Sequence, residues 1–180
     1  MHRFFPIGEQ AHWLNSLTVK PEILQWLFDP MSLTAKLKTI SSQFKLQVLG
    51  EAWVNPEDCN SLNFNEPTLI REVLLFCQNK PWVYAHTQVP RSTIEAGNQS
   101  LQNLGEQPLG EYIFKLPGLE RCDIEVAEFT AQSKVFELAK TLFNGELPNI
   151  LYGRRSVFKL QQFPFTVTEV FLADCQFYYE

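Results

Sequence analysis

The stretch Thr68–Pro90 reads TLIREVLLFCQNKPWVYAHTQVP, and its reading decides the architecture. Two β-rich runs flank the turn-like QNKP, the pattern of an antiparallel hairpin. Side chains alternate across a strand. Leu69, Arg71, Val73 and Leu75 therefore share one face of the first run, and Ile70, Glu72, Leu74 and Phe76 the other. Both faces are mainly apolar and each carries one charge, which predicts a central strand covered on both sides. A buried guanidinium needs partners, because leaving it unpaired costs on the order of several kcal/mol.

A second region poses the same puzzle. Leu151–Leu172 reads LYGRRSVFKLQQFPFTVTEVFL, two further strands with QQFP between them. In FTVTEVFL, Phe165, Val167, Glu169 and Phe171 share one face, so a carboxylate stands in line with three large apolar side chains. Arg154 and Arg155 lie just upstream. Two readings compete: a buried ion pair or outward-facing charges at strand ends, or a pocket enclosed by sheet and helices. In the pocket, the fixed fork of an arginine suits a planar carboxylate. A glutamate set in an apolar wall suits proton transfer. These features alone define a small-ligand site and no reaction.

Working outward, Pro21 opens PEILQWLF as a helix, and Ser32 or a neighbour opens a second in DPMSLTAKLKTIS. FKLQVLGEAWV alternates as one strand, or as two joined near Gly50. STIEAGNQSLQNLG begins a helix capped by Ser92 or Thr93, and PLGEYIFKL holds a short helix or turn. RCDIEVAEF reads as a strand, and QSKVFELAKTLFNG as a helix stopping at Asn144-Gly145. The first thirty residues form an irregular arm leading to short helices. Strands joined by short turns, with helices outside them, predict a largely antiparallel sheet in a single α+β domain over residues 1–180.

Composition narrows the function classes. With 45% apolar and 19% charged residues in 180, the chain is a packed globular protein. A net charge of -5 and no basic run argue against a nucleic-acid partner. No stretch reaches membrane-spanning length, and the N-terminus is not a signal peptide. Four scattered cysteines without C-x-x-C, and histidines only at positions 2, 12 and 86, offer no metal cluster. Free thiols in a reducing cytoplasm fit best. His86 reads as a satisfied structural residue. Gly105 and Gly110 form no phosphate cradle, and Ser156 lacks a histidine relay.

REVLLFCQNKPWVYAHTQVP, LQNLGEQPLGEYIF, LYGRRSVFKL and TVTEVFL, in this order from about Trp13 to Phe171, resemble the chorismate pyruvate-lyase family of ubiquinone biosynthesis. The resemblance implies an antiparallel sheet of about six strands, with helices covering an internal ligand cavity. It implies cleavage of chorismate to 4-hydroxybenzoate and pyruvate without metal or organic cofactor. By motif, Arg71 matches the family's carboxylate-binding arginine and Glu169 its active-site glutamate, near the oxygen-bearing end of the ring. Leu109 matches a position whose backbone amide binds the ligand. Leu33 falls where the family has a methionine in a helical lid, a swap that keeps the wall apolar. Arg154 and Arg155 occupy the GRRS motif, one serving an acid group or the pocket and the other structural.

One segment departs from that pattern. AQSKVFELAKTLFNGELPNI, between RCDIEVAEF and LYGRRS, is longer than the family's usual connection, either as an added surface helix or as an altered lid. The same architecture also resembles effector-sensing domains of transcription regulators. A non-catalytic domain binding an aromatic or carboxylate ligand is therefore the alternative. Domain size points to a monomer.

Overall fold

A computed structural model describes residues 5–60 and 62–179. His2, one of the three histidines, lies outside them. The hairpin that decides the architecture forms as read, as β2 (Thr68–Cys77) and β3 (Lys80–Pro90). Its turn is only Gln78-Asn79, both at positive φ (52° and 62°), so Lys80 and Pro81 already belong to the second strand. This two-residue geometry matches the twist of the strands it joins. Before the hairpin come α1 (Pro21–Leu27), α2 (Leu33–Ile40) and β1 (Phe44–Val54). The Ser32 side chain caps α2 by accepting from the Ala35 amide. After it come α3 (Arg91–Glu95), α4 (Leu109–Ile113), β4 (Leu119–Phe129), α5 (Lys134–Leu142), β5 (Leu151–Leu160) and β6 (Phe163–Phe171).

The six strands form one antiparallel sheet in the order β1-β2-β3-β6-β5-β4. This is the α+β architecture expected from the sequence. Two details differ, and a third settles an alternative. The helix expected to be capped by Ser92 or Thr93 is capped at Pro90 instead, runs Arg91–Glu95 and stops short of a positive-φ Gly97, and Ser92 binds the Glu66 carboxylate instead of capping. QQFP is not all turn: Gln161-Gln162 make the reversal, and Phe163 and Pro164 are in β6. FKLQVLGEAWV is one strand, but its pairing slips between Val48 and Gly50.

One side of the sheet carries two apolar clusters. The first gathers Trp26, Leu27, Leu37, Val73, Leu75 and Phe171. The second gathers Leu69, Leu101, Leu109, Ile113, Phe158 and Phe165. The opposite side is covered by α5, whose Val135, Phe136, Leu138 and Ala139 pack with Leu74, Tyr84, Phe129 and Val170. The long 130–149 connection thus lies behind the sheet, as an added helix and not as a lid. Gly153, in the GRRS motif, meets this layer: a Cβ there would stand 2.8 Å from the Phe129 ring and 3.2 Å from the Glu169 carbonyl.

The irregular N-terminal arm is anchored on this opposite side by a buried polar network. The Glu72 carboxylate accepts from the amides of Ile7 (2.8 Å) and Gly8 (2.8 Å) and from the Tyr84 hydroxyl (2.9 Å). His86 Nδ1 lies 3.0 Å from the same carboxylate, so His86 is held structurally, away from the clusters described above. Burial alone would raise the Glu72 pKa, but His86 and the two amides outweigh it and hold the carboxyl below its usual 4.5. The sign follows directly. A folded-state value below the unfolded one stabilises the fold above about pH 4.5, and that stability is lost as pH falls through the folded value. The melting temperature should therefore fall from roughly pH 5 downward, more steeply in wild type than in Glu72→Gln. Equal slopes in melts followed by circular dichroism would remove Glu72 as the acid-sensitive anchor.

Candidate functional site

The seam between the two apolar clusters holds a cavity with about 520 Å³ of space unfilled by protein atoms. Val73, Ala85, Thr87 and Val167 form its floor on the sheet. Leu33 and Thr34 at the start of α2, and Leu109, Gly110 and Ile113 of α4, form its cover. Gly110 lets the two short helices meet, since a Cβ there would stand 3.1 Å from Ser32 Oγ and 3.3 Å from Thr34 Oγ1. Leu33 and Leu109 are both buried first residues of their helices. First-turn amides have no acceptor within their own helix.

Arg71 stands at one end, 4% exposed. Its Nη2 donates to the carbonyls of Gly105 (2.8 Å) and Gln107 (3.2 Å), which fixes the loop leading into α4. Its Nε lies 3.4 Å from Glu51 Oε2 but is buried without a hydrogen bond among the described residues. Burial lowers the Arg71 pKa and Glu51 opposes that; burial raises the Glu51 carboxyl and Arg71 opposes that. The fork is thus oriented by protein carbonyls on one prong and incompletely satisfied on the rest.

Glu169 lines the same cavity from β6. The glutamate on the apolar face is explained by Arg154, directly opposite it in the β5–β6 register. Arg154 Nε donates to Glu169 Oε2 at 2.6 Å, and Nη1 donates to the carbonyls of Trp26 (3.2 Å) and Asp29 (2.7 Å) at the end of α1. At 1% exposure Arg154 is the largest fully buried side chain among the described residues. Arg155 points to the other side of the sheet. There it binds Glu125 (2.7 Å) and Glu9 (3.3 Å) and stacks on Trp13, 4.6 Å from the ring centroid. The two adjacent arginines therefore do different things: Arg154 supports the cavity glutamate, and Arg155 closes the polar network on the far side.

The sequence reading did not find Arg121. Simple alternation in LERCDIEVAEF puts Arg121 with Asp123 and Glu125, away from Ile124 and Val126. The register slips between Arg121 and Asp123, leaving Cys122 as the extra residue. Arg121 then pairs with Phe158, in line with Ile124 opposite Ser156 and Val126 opposite Arg154, and so joins the cavity wall. Glu51 is delivered beside Arg71 in the same way by the slip in β1. Bulges on the two outer strands thus aim a charge inward, a common use of such irregularities near sites. Among the described residues, no group of three His, Cys, Asp or Glu side chains could hold a metal ion.

A helix-covered antiparallel sheet enclosing an arginine-lined cavity is the architecture of a small-molecule-binding domain. The fold resembles those of two solved structures. One is the C-terminal domain of the histidine utilization repressor from Pseudomonas syringae pv. tomato (TM-score 0.53, 14% identity, 73% of this chain and 92% of that one). The other is the ligand-binding domain of a putative GntR-family transcriptional regulator from Bordetella bronchiseptica (0.51, 15%, 75% and 86%). At such identities the likeness is one of fold.

Sequence comparison is far closer. Residues 7–180 match the chorismate lyase family model. The "Probable chorismate pyruvate-lyase" of Pseudoalteromonas translucida is 42% identical, over 97% of this chain and 98% of that protein. That of Psychromonas ingrahamii is 38% identical over 93% and 92%. The chain belongs to the chorismate lyase family.

Proposed function

We propose that this protein cleaves chorismate to 4-hydroxybenzoate and pyruvate, supplying the ring precursor of ubiquinone. The observation that carries the reading is one largely apolar cavity between sheet and helices, with an incompletely satisfied arginine at one end and an arginine-held carboxylate on its wall, in a chain of this family. Arg71 takes the ring carboxylate by charge-assisted hydrogen bonding from the N–H groups that the Gly105 and Gln107 carbonyls leave over, helped by the amide of Leu109. Leu33 and Leu109 close the apolar cover. Glu169, oriented by Arg154, accepts from the hydroxyl at the opposite end of the ring. Arg155 supports the sheet from behind and does not touch substrate.

The chemistry needs little beyond positioning. The ether bond between ring and enolpyruvyl group breaks, and its electron pair leaves with the oxygen that becomes the pyruvate carbonyl. The neighbouring hydroxyl-bearing carbon loses its hydrogen as a proton, which ends on the enolpyruvyl methylene and makes it a methyl group. The ring becomes aromatic, which drives the step. A dry cavity that fixes the ring and hydroxyl lowers the barrier by orientation and by replacing water with fixed dipoles. On this reading the ligands are chorismate and 4-hydroxybenzoate, and the protein works as a cytoplasmic monomer without nucleic-acid partners.

The test is to incubate the purified protein with chorismate and quantify both products. Equal molar pyruvate and 4-hydroxybenzoate are expected, with kcat lowered roughly 10²-fold or more in folded Glu169→Gln. Binding of 4-hydroxybenzoate by wild type without pyruvate release would leave a sensor-like domain and end the lyase reading.

A further inference from the structure

We infer that Arg121 is the second anion-binding arginine of this cavity, and that it holds the carboxylate of the enolpyruvyl group, the part that leaves as pyruvate. The inference rests on the lyase reading and adds to it a residue and a specificity for dicarboxylates.

The Arg121 guanidinium is fixed on three sides. Nε donates to Ser156 Oγ (3.1 Å), and Nη1 donates to the carbonyls of Asp29 (3.2 Å) and Pro30 (3.0 Å). Its face lies over Phe158, 4.9 Å from the ring centroid, with Phe114 at 5.9 Å. The remaining nitrogen, Nη2, donates to no group among the described residues, and the side chain lines the cavity together with Glu169. A guanidinium so braced, with one edge left over, is preorganised for an oxyanion.

Its position answers the shape of the substrate. Arg71 is on β2 and Arg121 on β4, four strand spacings apart in the sheet order. At roughly 4.8 Å per spacing their backbones stand about 19 Å apart, so the two side chains reach in from opposite walls. The substrate's two carboxylates are also separated: one on the ring carbon opposite the hydroxyl, the other on the side chain next to it. With the first at Arg71 and the hydroxyl at Glu169, the second falls on the Arg121 side. The balance of charge there fits an anion, since the Glu169 carboxylate is already held by Arg154 at 2.6 Å, and Asp29 is paired with Lys36 at 2.9 Å. Burial, and then the Arg154 charge, hold the Arg121 pKa down at about 10, against the pull of Glu169 and Asp29. An arriving carboxylate relieves both strains. The product 4-hydroxybenzoate has no group to place there.

The experiment compares wild type, Arg121→Gln and Arg121→Lys in chorismate turnover and in 4-hydroxybenzoate affinity by calorimetry. In Arg121→Gln, kcat/KM for chorismate should fall roughly 10²–10³-fold, the size of losing one partner of a buried charged contact, while 4-hydroxybenzoate affinity moves less than about threefold. Arg121→Lys, which keeps the charge but not the fork, should recover about tenfold of the loss. Unchanged kcat/KM in Arg121→Gln would overturn the inference. A parallel fall in 4-hydroxybenzoate affinity would overturn it too, because it would show that Arg121 serves only to tie the Asp29–Pro30 carbonyls beneath the cover. Wild type releasing no pyruvate would instead defeat the lyase reading and this inference with it, so the two failures are distinguishable.

Discussion

Arg154→Met should cost about 3–5 kcal/mol of folding stability, the usual penalty for removing one member of a buried ion pair. The loss comes from what is left behind. Glu169, 14% exposed, would keep its carboxylate without the Nε–H that binds it at 2.6 Å. The carbonyls of Trp26 and Asp29 would lose their Nη1 donor, and α1 would lose its tie to the sheet. Trp26 packs edge-on against Phe171, so the first apolar cluster would loosen with the helix end. Urea titration followed by tryptophan fluorescence gives the number directly. A double variant, Arg154→Met with Glu169→Leu, removes the orphaned carboxylate and should regain more than half of the loss, because an apolar replacement of a buried pair is often near neutral. If the single variant lost less than about 1 kcal/mol, the pair would rank with surface ion pairs and its burial would not matter.

That coupling was partly legible in the sequence. Period-two alternation placed Glu169 on an apolar face, but it left open which of the two adjacent arginines meets it. What alternation lacked was register. Reading QQFP as a four-residue turn sets Glu169 opposite Ser156, whereas the observed reversal at Gln161-Gln162 sets it opposite Arg154. The β2–β3 hairpin was clear because both of its strands are long, apolar and joined by a short turn. Arg71 was found for the same reason, since its strand is buried on both faces. Arg121 and Glu51 were hidden because each follows or precedes a one-residue bulge that inverts parity. The slips arise from strand pairing, which no local pattern encodes. Helix ends suffered likewise. Ser32 and Ser133 cap as their side chains favour, while Ser92 is drawn away by Glu66, a partner 26 residues distant.

Arg71→Ala should abolish most turnover, with kcat/KM for chorismate falling about 10³-fold, and 4-hydroxybenzoate affinity falling by a similar factor. Two losses add. The charge and fork that face the ring carboxylate disappear, leaving Glu51 as the nearest charge at that end and repelling the same ligand. The carbonyls of Gly105 and Gln107 also lose their donor, so the loop that sets Leu109 and α4 over the cavity is no longer held. Arg71→Lys separates these contributions. It restores a positive charge but cannot span the two carbonyls and the ligand at once, so it should remain roughly tenfold or more below wild type. Combining Arg71→Lys with Glu51→Gln should then improve 4-hydroxybenzoate affinity, since the competing carboxylate is removed while the cation stays. Substrate and product respond together here because both carry the ring carboxylate, in contrast to the split response expected at Arg121. If Arg71→Ala lost turnover but bound 4-hydroxybenzoate as tightly as wild type, the ring carboxylate would have to lie elsewhere, and the orientation of the substrate in the cavity would be reversed.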